Sequence, residues 1–299
     1  MVAIRVSDLH KSFGSVTAVD GVDFSVSEGE FFGLIGPNGA GKTTVLDLVQ
    51  GLRAPDRGEI ELLGSPPRPR TASLLHRIGV QLQTSAFFER LTAREQIRTF
   101  ADLYGAPETA ADAWLERVGL DEKADARTES LSGGQAQRLA IACALVHEPE
   151  LVFLDEPTAA IDPQARRNLW DLLRGLHQSG RTIVLTTHYL DEAETLCDRV
   201  AIMDHGKILD LDTPAALVRT LDAPVRITVP ARLEEPELRA LPGVTEVLPG
   251  TAGTFTLVTR HAEQVLPALA LRDAVSGIQV SGATLEDVFL DRTGREYRA

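Results

Sequence analysis

Residues 36–44 read "GPNGAGKTT" and lie between one apolar run, "FFGLIG" at residues 31–36, and another, "VLDLVQGL" at residues 45–52. Glycine packs nothing, so three glycines between two core-like runs predict a turn that something approaches closely along its backbone. The spacing is G-x-x-x-x-G-K-T, after a β-type run and at the start of a helical one, which is the context a phosphate-binding loop needs. The candidate cradle is Gly36-Pro37-Asn38-Gly39-Ala40-Gly41-Lys42-Thr43-Thr44. Gly36, Gly39 and Gly41 let backbone N–H groups turn inward around phosphate oxygens, and the helix starting near Lys42 points its positive end at them. Lys42 is placed to reach the β- and γ-phosphates, and the Thr43 hydroxyl to ligate Mg²⁺.

The chain around this loop is ordinary globular material. Its 299 residues are 43% hydrophobic and 24% charged, enough for one well-buried core and a smaller second unit. A formal net charge of −13 argues against a nucleic-acid partner held along a duplex by phosphate neutralisation, although a local basic groove is compatible with it. Cys143 and Cys197 are far apart, fit no metal or disulfide spacing, and read as packing residues in a reducing compartment. The N-terminus lacks the pattern of a signal peptide, and charged or polar residues break each apolar run before bilayer length. A cytosolic chain that does not itself cross a membrane is expected.

Up to about residue 222, β-type runs ("FFGLIG", "RIGVQLQ", "ELVFLDEP", "RTIVLTTH") alternate with helical or polar segments, which predicts a mixed sheet with a parallel core covered by helices. "AIRVSDLHKSFG", "GVDFSVSEGE" and "GEIELLG" predict a small antiparallel β subdomain. Residues 84–147 carry apolar positions at helical spacing and read as a mostly helical insertion. A change of style near Ala223 and Pro224 marks a second unit, residues 223–299. Its β-α-β-β-α-β order predicts a small α+β, ferredoxin-like domain.

A triphosphate site needs a second acid for the metal and a group to orient water. "LVFLDEP" supplies both: the apolar run carries Asp155 to the carboxyl end of a strand, where it can hold Mg²⁺, and Glu156 follows it, placed to polarise the attacking water. "LSGGQAQR" at residues 131–138 is a further hydroxyl-plus-glycine helix start. In the order phosphate loop, "LSGGQ", "LVFLDEP", the chain resembles the ATP-binding cassette (ABC) family, and Ser132, Gly133, Gly134 and Gln135 look like its signature. The fold class so implied is α/β, a P-loop NTPase core of ABC type.

The resemblance extends to lesser motifs. Phe13 in "KSFG" is positioned like the aromatic that stacks on adenine, with a core or strand-end phenylalanine as the other reading. Gln83 matches the glutamine that reaches Mg²⁺ and the attacking water, whereas Gln81 is a decoy. His188 in "TTHYLDEAE" matches the switch histidine near the γ-phosphate. Asp162 belongs to the D-loop, which departs from the usual pattern in Ala160 and Ile161, so the contact across the dimer is open to change.

The resemblance implies that ATP bound by one chain is completed by Ser132 and Gly134 of a second copy, and that the closed pair drives a separate integral membrane permease from the cytoplasmic face of the membrane. Residues 84–98 are the candidate docking surface, with Ala86, Phe87 and Phe88 either there or in the core. "IGVQLQ", "TTHYLDEAE" and "ATLEDVFLDRTGRE" look like ATPases of ABC-2-type exporters, the group that includes daunorubicin-resistance proteins. An importer ATPase and a soluble, non-transport ABC ATPase are the alternatives. The C-terminal unit either stabilises or regulates the dimer or is a passive appendage.

Overall fold

The computed structural model describes residues 1–83, 87–159, 161–250 and 253–294. Two long strands, β1 (Val2–Phe13) and β2 (Val16–Ser27), lead into the short, fully buried β3 (Phe31–Ile35), and α1 (Lys42–Val49) starts immediately beyond the glycine-rich turn. Next come β4 (Arg57–Leu62), α2 (Ala72–Leu75) and β5 (Ile78–Gln81). The insertion contributes α3 (Ala93–Tyr104), α4 (Ala110–Arg117) and α5 (Gly133–Leu145). The chain then alternates through β6 (Leu151–Asp155), α6 (Pro163–Gln178), β7 (Thr182–Thr187), α7 (Leu190–Leu196), β8 (Arg199–Asp204), β9 (Lys207–Asp212) and α8 (Pro214–Thr220).

The main sheet has the order β5-β6-β7-β3-β8-β9, parallel except for the β8–β9 hairpin. Strands buried on both faces read as unbroken apolar runs, and "LVFL" and "FFGLI" do so. The second sheet, β2-β1-β4, is antiparallel and alternates, with Val22, Phe24 and Val26 inward and Asp23, Ser25 and Ser27 outward. In β1 both Val6 and Leu9 face inward, three residues apart, because a bulge with Asp8 at φ 47° shifts the phase between them. The two sheets share one apolar cluster, in which the Phe24 and Phe32 rings stack at 5.3 Å. Helix α1 adds Val45, Leu46, Leu48 and Val49 to it, each worth roughly 1.5–3 kcal/mol on burial.

The α-carbon contacts divide the chain between Pro214 and Ala215, ahead of the change in composition near residue 223. Helix α8 goes with the second unit because Arg292 donates to Thr220 Oγ1 at 3.0 Å and Leu217 is buried. That unit contains β10 (Val225–Pro230), α9 (Glu235–Arg239), β11 (Val244–Pro249), β12 (Thr254–Thr259), α10 (Ala262–Ala270), β13 (Gln279–Ser281) and α11 (Leu285–Thr293). Its antiparallel sheet runs β11-β12-β10-β13, the split β-α-β arrangement of a ferredoxin-like fold. Ile227, Val247, Leu257, Val265 and Leu269 form its own core. Among the described residues no helix is long and apolar enough to cross a membrane.

Candidate functional site

Strand β3 ends at Ile35, and the next six residues turn at the carboxyl edge of the parallel strands, where ligands sit in open α/β sheets, before α1 begins at Lys42. Two glycines there are obligatory on steric grounds. A Cβ on Gly36 would meet the Met203 carbonyl oxygen, and one on Gly41 would meet the Ala18 carbonyl oxygen and stand 2.8 Å from Met203 Cε. Gly41, the N-cap of α1, also has φ 106°. Lys42, only 5% exposed, donates from Nζ to the Gly36 carbonyl at 2.8 Å and the Pro37 carbonyl at 3.2 Å, and lies 3.5 Å from Glu156 Oε1. Burial pushes its pKa down, and the charges of Glu156 and Asp155 oppose that push.

The register of β6 against β7 sets Asp155 beside Thr186. The Thr186 hydroxyl donates to Asp155 Oδ1, and the nearby Thr43 hydroxyl also favours the charged carboxylate. Burial nevertheless raises the Asp155 pKa above the ordinary carboxylate range. Glu156 sits in the left-handed region at φ 49°, a conformation that persists only where neighbours hold it. Its N–H donates to Thr186 O and Thr186 Oγ1, both at 3.1 Å, and its carbonyl accepts from Gln137 Nε2 at 3.3 Å. The carboxylate faces Lys42 on one side, while His188 Nδ1 stands 3.1 Å from Oε2, at ion-pair distance but without hydrogen-bond alignment. His188 first, and Lys42 after it, hold the Glu156 carboxyl below its usual range.

A cleft of about 390 Å³ opens over this cluster, lined by Asn38, Gly39, Gly41, Lys42, Thr43 and Thr44 of the turn, by Gln83 and Glu156, and by Val16, Thr17, Ala18 and His205 opposite. Gln83 therefore reaches the cleft. Gln81 is buried instead, donating to the carbonyls of Leu82 at 2.6 Å and Asp155 at 3.3 Å. Phe13 ends β1, 43% exposed, with Lys11 and Arg53 over its ring at 5.6 and 5.4 Å; it is a strand-end and not a core residue.

Ser132 caps α5: its Oγ accepts from Gln135 N at 3.3 Å, and Gln135 Oε1 accepts from Ser132 N at 2.9 Å. Among the described residues lining the cleft none comes from this segment, Gly133 and Gly134 included. Asp162 caps α6, accepting from Gln164 N and Ala165 N at 3.0 and 2.9 Å, and Ile161 is buried. Phe88 is exposed and Phe87 half-buried, while Thr84, Ser85, Ala86 and Ala160 lie outside the described residues. Thr186 and Gln137 were not anticipated from sequence. The signal for Thr186 is two hydroxyl residues ending an otherwise apolar strand before His188; for Gln137 no signal stands out.

Among the described residues no group of three His, Cys, Asp or Glu side chains gathers to hold a metal alone. Thr43, Asp155 and Gln83 offer an all-oxygen donor set with a single carboxylate, which suits a small hard dication that takes its remaining ligands from phosphate and water.

A glycine turn at a helix start, a buried lysine within it and an acid pair at the end of the adjoining parallel strands define a phosphate-loop nucleotide hydrolase. Residues 19–159 match the family model described as ABC transporter. The Nod factor export ATP-binding protein I of Sinorhizobium fredii is 39% identical over 99% of this chain and 88% of its own length. The linearmycin resistance ATP-binding protein LnrL of Bacillus subtilis is 36% identical over 99% of each. A dimeric ATP-binding cassette in a post-hydrolysis state bound to ADP and Pi superposes with a TM-score of 0.65 at 27% identity, covering 70% of this chain and 98% of that one. The chain belongs to the ABC transporter family, as an ATP-hydrolysing subunit of the exporter type.

Proposed function

We propose that this chain is the motor of an exporter for a drug, a lipid or another amphipathic molecule, acting through a separate membrane permease from the cytoplasmic face of the membrane. Relatives named for Nod factor export and linearmycin resistance support the cargo class. In this reading the turn from Gly36 to Thr44 cradles the phosphates, Lys42 meets the β- and γ-phosphates, and Phe13 lies against the base. Thr43, Asp155 and Gln83 hold Mg²⁺, which neutralises phosphate charge. Glu156 orients the attacking water, and His188 senses the γ-phosphate.

The observation that carries the reading is the convergence of Lys42 and His188 on the carboxylate of Glu156 at the floor of the cleft, with Ser132 outside that cleft. The signature segment then serves the nucleotide of a second copy, with Gly133, Gly134, Gln135 and Asp162 at the junction. Two chains close on two ATP molecules, and loss of the γ-phosphate removes the contacts that favour closure, so the pair reopens. The test is Glu156→Gln. With Mg-ATP it retains nucleotide binding, loses most turnover and runs as a dimer on size exclusion; hydrolysis at the parental rate overturns the role given to Glu156.

A further inference from the structure

Behind the cleft lies a carboxylate that the reading above leaves unused. Glu192, on α7, has no exposed surface, and two donors from two segments converge on it. Thr158 Oγ1 donates to Oε2 at 3.1 Å and Trp170 Nε1 donates to Oε1 at 3.0 Å, and the nearby Thr187 hydroxyl also favours the charged carboxylate. Thr158 is two residues past Glu156 in a tight turn closed by Ala159 N to Glu156 O at 3.2 Å. Thr187 immediately precedes His188. Trp170 lies on α6, whose Arg166 guanidinium covers the Tyr189 ring at 4.3 Å, and the Tyr189 and His188 rings are 4.2 Å apart.

Stability alone is a poor reason for such an arrangement. Taking a carboxylate out of water costs several kcal/mol, and well-packed apolar side chains of similar volume commonly do as well or better. Burial does push the Glu192 carboxyl upward, against the pull of the neighbouring Thr187, Trp170 and Thr158 side chains. What the two bonds do achieve is geometric, because they tie the turn after Glu156 and helix α6 to a side chain four residues beyond His188. We infer that Glu192 is a positioning residue for ATP hydrolysis, holding Glu156 and His188 at their mutual distance and coupling both to the Asp162 end of α6. This rests on the roles given above to Glu156 and His188.

The experiment compares steady-state ATP hydrolysis of the full chain with Glu192→Gln, His188→Ala and the double variant, alongside nucleotide affinity and thermal melting. Gln keeps the shape but places an amide N–H₂ against donors. The expected result for Glu192→Gln is a kcat lowered about tenfold, with KM and ATP affinity within about twofold. The double variant is expected to match His188→Ala, since both act through the geometry at Glu156 and their losses do not multiply. Thr158→Val, which removes one donor with little change of shape, provides the same comparison should Glu192→Gln fail to fold; a smaller loss confined to kcat is expected. Unchanged kcat, a joint loss of kcat and nucleotide affinity, or multiplying losses overturns the inference. A fully active His188→Ala overturns the role of His188 and this inference together, whereas an impaired His188→Ala beside a fully active Glu192→Gln overturns this inference alone.

Discussion

His188 Nδ1 stands 3.1 Å from Glu156 Oε2, and the two residues reach that distance from the ends of adjacent parallel strands, β6 and β7. Their separation is therefore set by sheet register and not by a loose loop. Lys42 approaches the same carboxylate from the phosphate-binding turn, so three segments distant in sequence share one negative charge.

This pair carries a pH signature. His188, and then Lys42, hold the Glu156 carboxyl below the ordinary range, so the unfolded chain binds a proton there at pH values where the native state does not. The contribution to stability is fully present above the unfolded value of about 4.3 and is lost as pH falls through the lower native value. Glu156→Gln should therefore melt below the parent at neutral pH, with the gap closing on acidification. A gap unchanged down to about pH 3.5 would contradict the assignment.

Gly41→Ala tests the turn itself. The new methyl group would strike the Ala18 carbonyl oxygen and crowd Met203 Cε, at a φ of 106° that a side chain rarely tolerates. A cost of about 2–4 kcal/mol is expected from strain and overpacking together. ATP binding should fall with it, because relief of the clash moves the N-terminus of α1. Calorimetry and nucleotide titration on the same sample check both, and parental values in either would contradict the close-packed turn.

Most of the fold was legible because its central strands are buried on both faces and read as unbroken apolar runs. The ferredoxin-like order of the second unit followed from strand and helix spacing alone. Among the candidate residues, Asp155 and Glu156 end and follow such a run, Lys42 is marked by the G-x-x-x-x-G-K-T spacing, and His188 by the family resemblance of "TTHYLDEAE". What escaped notice depends on pairing. Nothing local distinguishes Thr186 from Thr187, yet register gives Thr186 alone to Asp155, while the Thr187 hydroxyl accepts from Tyr189 N. Gln137 and Glu192 read as ordinary polar helix positions, since only the fold brings Glu156 and Thr158 to them. The division at Pro214 lies ahead of the change in composition because α8 reads in sequence as a continuation of the preceding hairpin.

Phe153 lies two residues before Asp155, with no exposed surface, on a strand flanked by β5 and β7. Truncation to Ala removes most of a large side chain from a close-packed core and should cost about 3–5 kcal/mol. Leu271, 88% exposed, is the control: Ala there should change stability by less than about 0.5 kcal/mol. Denaturant unfolding followed for each unit separately measures both, and equal effects would mean that β6 is not packed within the core of the sheet.

Ser132 has one duty in the fold, as a cap, and a second in the proposed pair, and substitution can separate them. As N-cap of α5 its oxygen accepts from Gln135 N, so Ser132→Ala should cost about 1 kcal/mol of stability. In the proposed pair it would serve the nucleotide of the other copy, so ATP affinity of the single chain should stay at the parental value while turnover falls. Ser132→Asp retains a capping oxygen and adds a negative charge. If the hydroxyl matters only as a cap, Ser132→Asp restores turnover along with stability. If Ser132 faces a γ-phosphate across the pair, the carboxylate repels that phosphate, and the variant is as stable as the parent yet hydrolyses ATP no faster than Ser132→Ala. Melting temperature and turnover measured together on the two variants decide between a cap and a shared site.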